Sequence, residues 1–408
     1  MTLKFMKEKL KRQTKQNIEF VKKCLRRSAR ILYFKKIENC SPVKYLHILG
    51  HSELKFNEVL VDTINSNELP FFKKEHMFVT PHWDVYYALR KHDNIYFISK
   101  WNAQVLNKLG DYGRWIFIHA LNLTQNEIAN ISRDVAVRIV WRTWGHDMIN
   151  YRKLIQEEND IKQKKVLEKS YLNIKKFYAI GGAGIDRINI NECIGESRFF
   201  VMPYSFADIL DEFKEKTACY NQTIKILVGH YAARGDRLLE SLEQLLKFRN
   251  EDIQIYLITS YATLDKEYLK DVYKYALDKF GDKVVFIDKF LPRNDYYRFL
   301  QSIDIAIMDQ LGSSALANIA WLLFFDKKIC VNRNGIIKKA FDIYGLDYVI
   351  TDDISNMKYE DFIKPIHNSY SQKYDLICHD KKENLEYWRI ILDSLKQAEK
   401  GAPEDAKN

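Results

Sequence analysis

IKILVGHYAARGDRLLESLEQLLKF, residues 224–248, starts as a short apolar run that ends at Gly229. It finishes as a helical pattern with Leu238, Leu239, Leu242, Leu245 and Leu246 on one face. A strand, a glycine-bearing turn and an amphipathic helix make up the repeating unit of a parallel sheet flanked by helices. The unit recurs downstream. Strand patterns at 253–260, 283–290, 305–310, 327–332 and 348–353 alternate with helical patterns at 266–280, 294–303 and 313–325. Residues 222–380 are therefore expected to form a doubly wound, Rossmann-like α/β domain.

The alternation continues upstream in a less regular form. KYLHILG (44–50), HMFVT (76–80), NIYFIS (94–99), RWIFIHA (114–120) and VAVRIVW (135–141) read as strands, with KKFYAI (175–180) and SRFFVMP (197–203) closing the series. Helical patterns fall at 56–65 and 83–92. A second Rossmann-like domain is expected over 39–215, joined to the first near 204–222. Ligands would sit in the cleft between the two, beyond the carboxyl ends of the strands. A length of 408 residues suits two such domains. In the segment 381–408 an amphipathic helix at 382–400 is expected to pack back on the N-terminal domain.

Charge is unevenly placed. Residues 1–36 contain thirteen Lys or Arg and two acids, a local charge of +11 in a chain of +10, so the rest carries −1. A nearly neutral body argues against nucleic acid as a partner. The arm, taken as residues 1–38, has apolar stripes at Leu3, Met6 and Leu10 and at Ile18, Val21 and Leu25. Such a helix can lie on an anionic membrane surface; a solvated basic tail, or an arm docked on its own protein, is the alternative.

Six cysteines (Cys24, Cys40, Cys193, Cys219, Cys330 and Cys378) form no CxxC pair, which fits thiols in a reducing compartment better than disulfides or zinc. His47 and His51 share an HxxxH spacing on a predicted strand, where they would lie ~13 Å apart, too far for one metal. No metal and no cofactor are expected. Neither a membrane-spanning run nor a secretion signal is legible, so a cytoplasmic location is expected.

Three turns carry polar chemistry. GHYAARGDR (229–237) can offer backbone N–H groups and a helix start to a phosphate, or serve as a plain turn. GGAGID (181–186) looks like a dinucleotide turn, but no helical pattern follows it. MDQLGSSALANIA (308–320) places Gly312, Ser313 and Ser314 at the expected opening of an apolar helix. Small residues there let a diphosphate approach, although Ser is also an ordinary cap. Neither half has a glycine fingerprint with an acid ~20 residues on, which disfavours a dehydrogenase. In the first half, His51, His119 and the turn Trp144-Gly145-His146-Asp147 fall at strand ends of one sheet edge, where an imidazole or carboxylate can act as a general base.

Together YLHILGH, FNEVLVDTIN, FIHALN, VWRTWGHDM, KILVGHYAARGDR and DQLGSSALANIAWLLFFDKKICVNRN resemble the 4-acetamido-4,6-dideoxygalactosyltransferases. These are the TDP-N-acetylfucosamine:lipid II N-acetylfucosaminyltransferases of glycosyltransferase family 56. The similarity spans residues 44–365 at low identity. It rests on Trp141, Trp144, Gly145 and Asp147 in a WxxWGxD pattern, Leu227-Val228-Gly229, Gln310 and Gly312, and Asn332-Arg333. The family has His where this chain has Arg142, a small residue at His146, and Asn-Ser-Gly at His230-Tyr231-Ala232.

The resemblance implies a GT-B glycosyltransferase, inverting and metal-independent. Its donor would be a TDP- or UDP-linked sugar. Its acceptor would be a polyprenyl-diphosphate glycan at the cytoplasmic face of the inner membrane, in surface polysaccharide synthesis. In that reading Asp147, His119 or His51 is the base; for Asp147 the alternative is an N-cap on a helix starting at Met148. Trp144, Gly145, Arg142 and Asn57 face the acceptor side. Gly229, His230, Arg234, Arg237, Tyr261, Leu291, Gln310, Gly312, Ser313, Ser314 and Arg333 surround the nucleotide and diphosphate. The rivals are a GT-B transferase for capsule or teichoic-type polymers with another donor, and a non-catalytic sugar-nucleotide or glycan sensor.

Overall fold

The computed structural model describes residues 37, 40–68, 70, 72–144, 147–195, 198–202, 213, 223–231, 234–260, 265–377, 379 and 381–400. The basic arm 1–36 lies outside the described residues, as do Gly145, His146, Tyr261 and nearly all of the expected junction at 204–222. The chain divides into two compact units, residues 1–179 and 180–408.

The first sheet has seven strands: β1 (Val43–Leu49), β2 (His76–Thr80), β3 (Ile95–Phe97), β4 (Gly113–His119), β5 (Ile139–Arg142), β6 (Tyr178–Gly181) and β7 (Arg198–Val201). Their order is β3-β2-β1-β4-β5-β6-β7. The second has six: β8 (Ile224–Val228), β9 (Ile253–Ile258), β10 (Val284–Ile287), β11 (Ile305–Met308), β12 (Lys328–Val331) and β13 (Val349–Ile350). These run in the order β10-β9-β8-β11-β12-β13. β1 pairs in parallel with β2 and β4, and β8 with β9 and β11. Both sheets thus reverse direction beside their first strand, at β1/β4 and at β8/β11. In such sheets these reversals open the crevice where ligands bind.

The strands are apolar because helices cover both faces. In the second sheet Leu227, Ala306, Met308, Ile329 and Val331 join one core. Their neighbours Ile226, Val228, Ile305, Ile307 and Cys330 join the other. This is the two-residue alternation of a strand. Helix Leu238–Leu245 seals the second core with Leu238, Leu242 and Leu245, and helix Leu316–Phe324 seals the first.

Several sequence expectations need correction. VAVRIVW is split: Arg133–Ala136 is a short helix, and the strand starts at Ile139. Periodicity cannot separate short apolar helix from strand. GGAGID is followed by a helix after all, Ala183–Ile194. Within its first turns the buried Asp186 accepts the Gly182 N–H at 2.6 Å. The helix expected from Ser313 begins at Leu316, because Ala315 sits in the left-handed region at φ 61° and stops it there. Gly312, Ser313 and Ser314 therefore form the loop before the helix. YVITDD keeps only Val349–Ile350 as strand, and His51 lies beyond the end of β1.

Candidate functional site

At the carboxyl rim of the first sheet the chain comes very close to itself. A Cβ on Gly50 would lie 2.2 Å from the Ala120 carbonyl oxygen, so only glycine lets the ends of β1 and β4 meet. The Gly50 carbonyl accepts from His82 Nε2 at 2.9 Å and from Asn122 Nδ2 at 2.7 Å. Those two residues join three strand ends, and the sequence reading missed both.

His51 Nδ1 accepts the Glu53 N–H at 3.0 Å. A neutral ring so held carries its proton on Nε2, which makes it a donor rather than a base. The His51 ring lies 5.2 Å from Trp144, and Phe56 lies 4.8 Å from both His51 and Trp144. Asn57 is buried and holds this turn, donating to the carbonyls of His51 (2.8 Å) and Glu53 (3.0 Å).

Asp147 is buried. Its Oδ2 accepts from the Leu121 N–H (2.8 Å) and the Trp141 Nε1–H (2.9 Å), and its Oδ1 from the Trp144 N–H (2.8 Å). No helix starts at Met148; the next one, Tyr151–Glu157, is capped by Asn150. The carboxylate ties Trp141 and the Trp144 backbone to the segment after β4, while Trp141 is a buried anchor.

His119 is buried and pairs across the sheet with Arg142. Its Nε2 is 3.1 Å from His47 Nδ1, and His47 Nε2 is 2.9 Å from His76 Nδ1. Among the described residues His119 Nδ1 has no hydrogen-bond partner. Burial, and then the Arg142 charge, push His119 well below the usual histidine range. Burial and the two flanking imidazoles do the same to His47. Burial, with Lys44, pushes His76 down to about 3. Among the described residues no group of His, Cys, Asp or Glu is placed to hold a metal ion.

The rim of the second sheet is built around two buried carboxylates. Gly229 has φ +69°, and a Cβ there would lie 2.3 Å from Leu238 Cδ2 and 3.0 Å from Asp236 Oδ2. Asp236 Oδ2 accepts the N–H groups of His230 (3.0 Å) and Tyr231 (2.7 Å), and its Oδ1 lies 2.8 Å from His230 Nδ1. Two of the backbone donors expected to face a phosphate, those of His230 and Tyr231, are thus engaged by the protein's own carboxylate. The Leu238 N–H is likewise engaged, by the Tyr268 hydroxyl at 3.0 Å.

Among the described residues of this rim, Arg237 offers an anion a cation. It precedes helix Leu238–Leu245 at φ 53°, one third exposed, with Nε 2.8 Å from Asp309 Oδ2. Asp309 directly follows β11, so the pair spans the β8/β11 reversal. Asp309 Oδ1 also accepts from Asn332 Nδ2 at 3.0 Å, after β12. Burial pushes Asp309 up despite Arg237, while the bond to Asp309 pushes Arg237 up. Beside them Gln310 Nε2 donates to the Ser314 carbonyl at 3.0 Å and closes the loop. The buried Gln310 Oε1 has no partner among the described residues. Gly312 is open on its side-chain side. Ser313 Oγ accepts from Asn189 Nδ2 at 2.8 Å.

The other charged sequence candidates are paired with other carboxylates. Arg234 is exposed and bonded to Asp265 at 2.5 Å. Arg333 pairs with Asp353 at 2.5 Å, both half exposed. Leu291 lies in the loop after β10.

No family model matches the chain, and no curated protein matches it in sequence. Solved structures match it in fold. Anabaena HepE in complex with UDP is 11% identical, with a TM-score of 0.59 over 86% of this chain and 100% of that one. A glycosyltransferase from Rickettsia africae is 11% identical, with a TM-score of 0.59 over 89% and 100%. A UDP-forming alpha,alpha-trehalose-phosphate synthase from Burkholderia vietnamiensis is 9% identical, with a TM-score of 0.56 over 87% and 100%. The fold is thus the GT-B type of the glycosyltransferases, with two Rossmann-like domains.

Proposed function

We propose that this chain is a glycosyltransferase that moves a sugar from a nucleoside-diphospho-sugar, UDP- or TDP-linked, to a lipid-linked glycan. The observation that carries the reading is Arg237, a cation fixed by a buried carboxylate across the β8/β11 reversal, beside Gly229 and the open Gly312 loop. A diphosphate leaving group develops charge as its bond to the anomeric carbon breaks, and a preorganised guanidinium stabilises that charge. The UDP in HepE and the UDP-forming activity named for the trehalose-phosphate synthase support a nucleotide-sugar donor.

The finer reading follows the resemblance to the N-acetylfucosaminyltransferases. The donor sugar is a deoxyaminosugar, the acceptor a polyprenyl-diphosphate glycan, and the product inverted. The basic arm 1–36 would hold the enzyme on the anionic cytoplasmic face of the inner membrane. On the acceptor side Trp144, His51 and Phe56 form an aromatic surface suited to a sugar face. The acceptor hydroxyl oxygen attacks the anomeric carbon, the nucleoside diphosphate leaves, and the hydroxyl proton goes to a base. Asp147 is occupied by three donors and His51 offers a proton, so His119 Nδ1 is the remaining basic atom, reached through one water.

Transfer of radiolabelled sugar from UDP- and TDP-sugars to a polyprenyl-diphosphate glycan tests this reading. His119→Phe should lower kcat ~10²-fold or more while nucleotide affinity stays unchanged. Wild-type turnover in that variant removes His119 from the mechanism.

A further inference from the structure

His119, His47 and His76 come from three neighbouring strands, β4, β1 and β2. In register His47 faces Phe117 and Phe78, so His119 and His76 are its diagonal neighbours on one face. The His47 ring stacks between Phe117 and Phe78, with centroids 4.8 Å away on both sides. All three imidazoles are buried. The row begins at the carboxyl rim, at His119, and ends at His76, which lines a cavity of about 750 Å³ with Cys40, Lys73 and Asn94 near the start of β2.

Each of the two inter-ring bonds needs one N–H and one lone pair. A row of neutral imidazoles therefore has two polarities and no third. In one, His119 Nδ1 is a lone pair and every Nε2 carries a proton. In the other, every Nδ1 carries the proton. Changing one end reverses the other.

We propose that these three histidines form a proton wire that lets His119 act as a base without leaving charge in the core. This rests on the reading of the first rim as the acceptor side. The acceptor hydroxyl proton binds His119 Nδ1. The same ring gives its Nε2 proton to His47 Nδ1. His47 gives its Nε2 proton to His76 Nδ1, and His76 releases its Nε2 proton into the cavity. One proton enters, one leaves, and each ring ends neutral in its other tautomer. The reverse passage, with a proton returned at His76 and one given up by His119, resets the wire.

The wire resolves a conflict at His119. Burial and Arg142 disfavour an imidazolium there, and a base that must hold a buried cation is weak. The charged neighbours that bear on the row are Arg142 at His119 and Lys44 at His76. Both are cations, and both oppose charge on the rings.

Nitrogen-15 NMR of the histidine-labelled full chain tests the wire, and this arm needs no transfer activity. In the wild type His119 Nδ1 should resonate as an unprotonated nitrogen, with couplings across both inter-ring bonds. His76→Phe keeps a ring against Tyr45 but removes the terminal acceptor. The His47 proton should then move to Nδ1, and His119 Nδ1 should become protonated. In the transfer assay His76→Phe should lower kcat ~10²-fold with KM unchanged. His47→Phe, which keeps the aromatic stack, should match it. A His119 Nδ1 already protonated in the wild type, or one indifferent to residue 76, overturns the wire. A tautomer switch without loss of kcat overturns its role in removing the acceptor proton. Absence of transfer by the wild type would instead count against the transferase reading, leaving the NMR result to decide the wire.

Discussion

Acidification from pH 7.5 to 5.5 should remove about 4 kcal/mol of stability from the N-terminal unit. The source is the three buried imidazoles. His47 and His119 are pushed well below the ordinary value of 6.5 by burial, and His76 down to about 3. Their folded pKa values are thus depressed. Above pH 6.5 both folded and unfolded chains hold them neutral, and the stability is fully present. Below it the unfolded chain binds protons that the folded one refuses, and stability is lost as pH falls towards the folded values. Each group gives about 1.4 kcal/mol per pH unit in that window. Urea unfolding followed through the buried Trp141 and Trp115 reads the change. His47→Phe should reduce the loss by about a third. Equal stability at both pH values would mean that the row is hydrated or already charged.

Asp147→Ala should be the most damaging single change at the first rim. It leaves the Leu121 N–H, the Trp144 N–H and the Trp141 Nε1–H without their acceptor. A buried donor left unsatisfied costs about 1–3 kcal/mol, so the three together put about 3–9 kcal/mol at stake. Asp147→Asn should recover only part of this, because its amide turns a donor towards donors. Transfer should fall in both variants as the turn opens. If Asp147 were instead the base, Asp147→Asn would melt like the wild type and still lose turnover. Thermal denaturation of the two variants, run beside the transfer assay, separates the roles.

The fold was legible because its elements repeat. Runs such as IKILV and IQIYLI alternate with helical patterns along the chain, which marks them as strands of a covered sheet, and LLESLEQL carries its face openly. At the strand ends, Gly50 and Gly229 mark where the chain passes close to itself. The sequence did not show which polar groups face a ligand. Asp147 read as a base or an N-cap, yet it accepts from three donors and fixes a loop, and Asp236 accepts two backbone N–H groups of its own turn. Asp309 showed only as the residue before a Gln-x-Gly turn, and its pairing with Arg237 crosses 72 positions. His76 escaped notice, and His47 was weighed only against His51 as a metal ligand, for the same reason: parallel pairing sets His47 and His76 side by side without leaving a spacing in the chain. The helix start at Ser313 was misplaced because nothing in SSALA marks Ala315 as left-handed.

Calorimetric titration of UDP and TDP into the wild-type and Arg237→Lys chains tests the central claim most directly. Lysine keeps a cation for Asp309 but loses the guanidinium fork that grips a diphosphate. The account predicts saturable binding of UDP or TDP by the wild type and affinity at least tenfold weaker in the variant, a difference of about 1.4 kcal/mol or more. Binding that Arg237→Lys leaves untouched, or no binding of either nucleotide even with a polyprenyl-diphosphate glycan present, would contradict it.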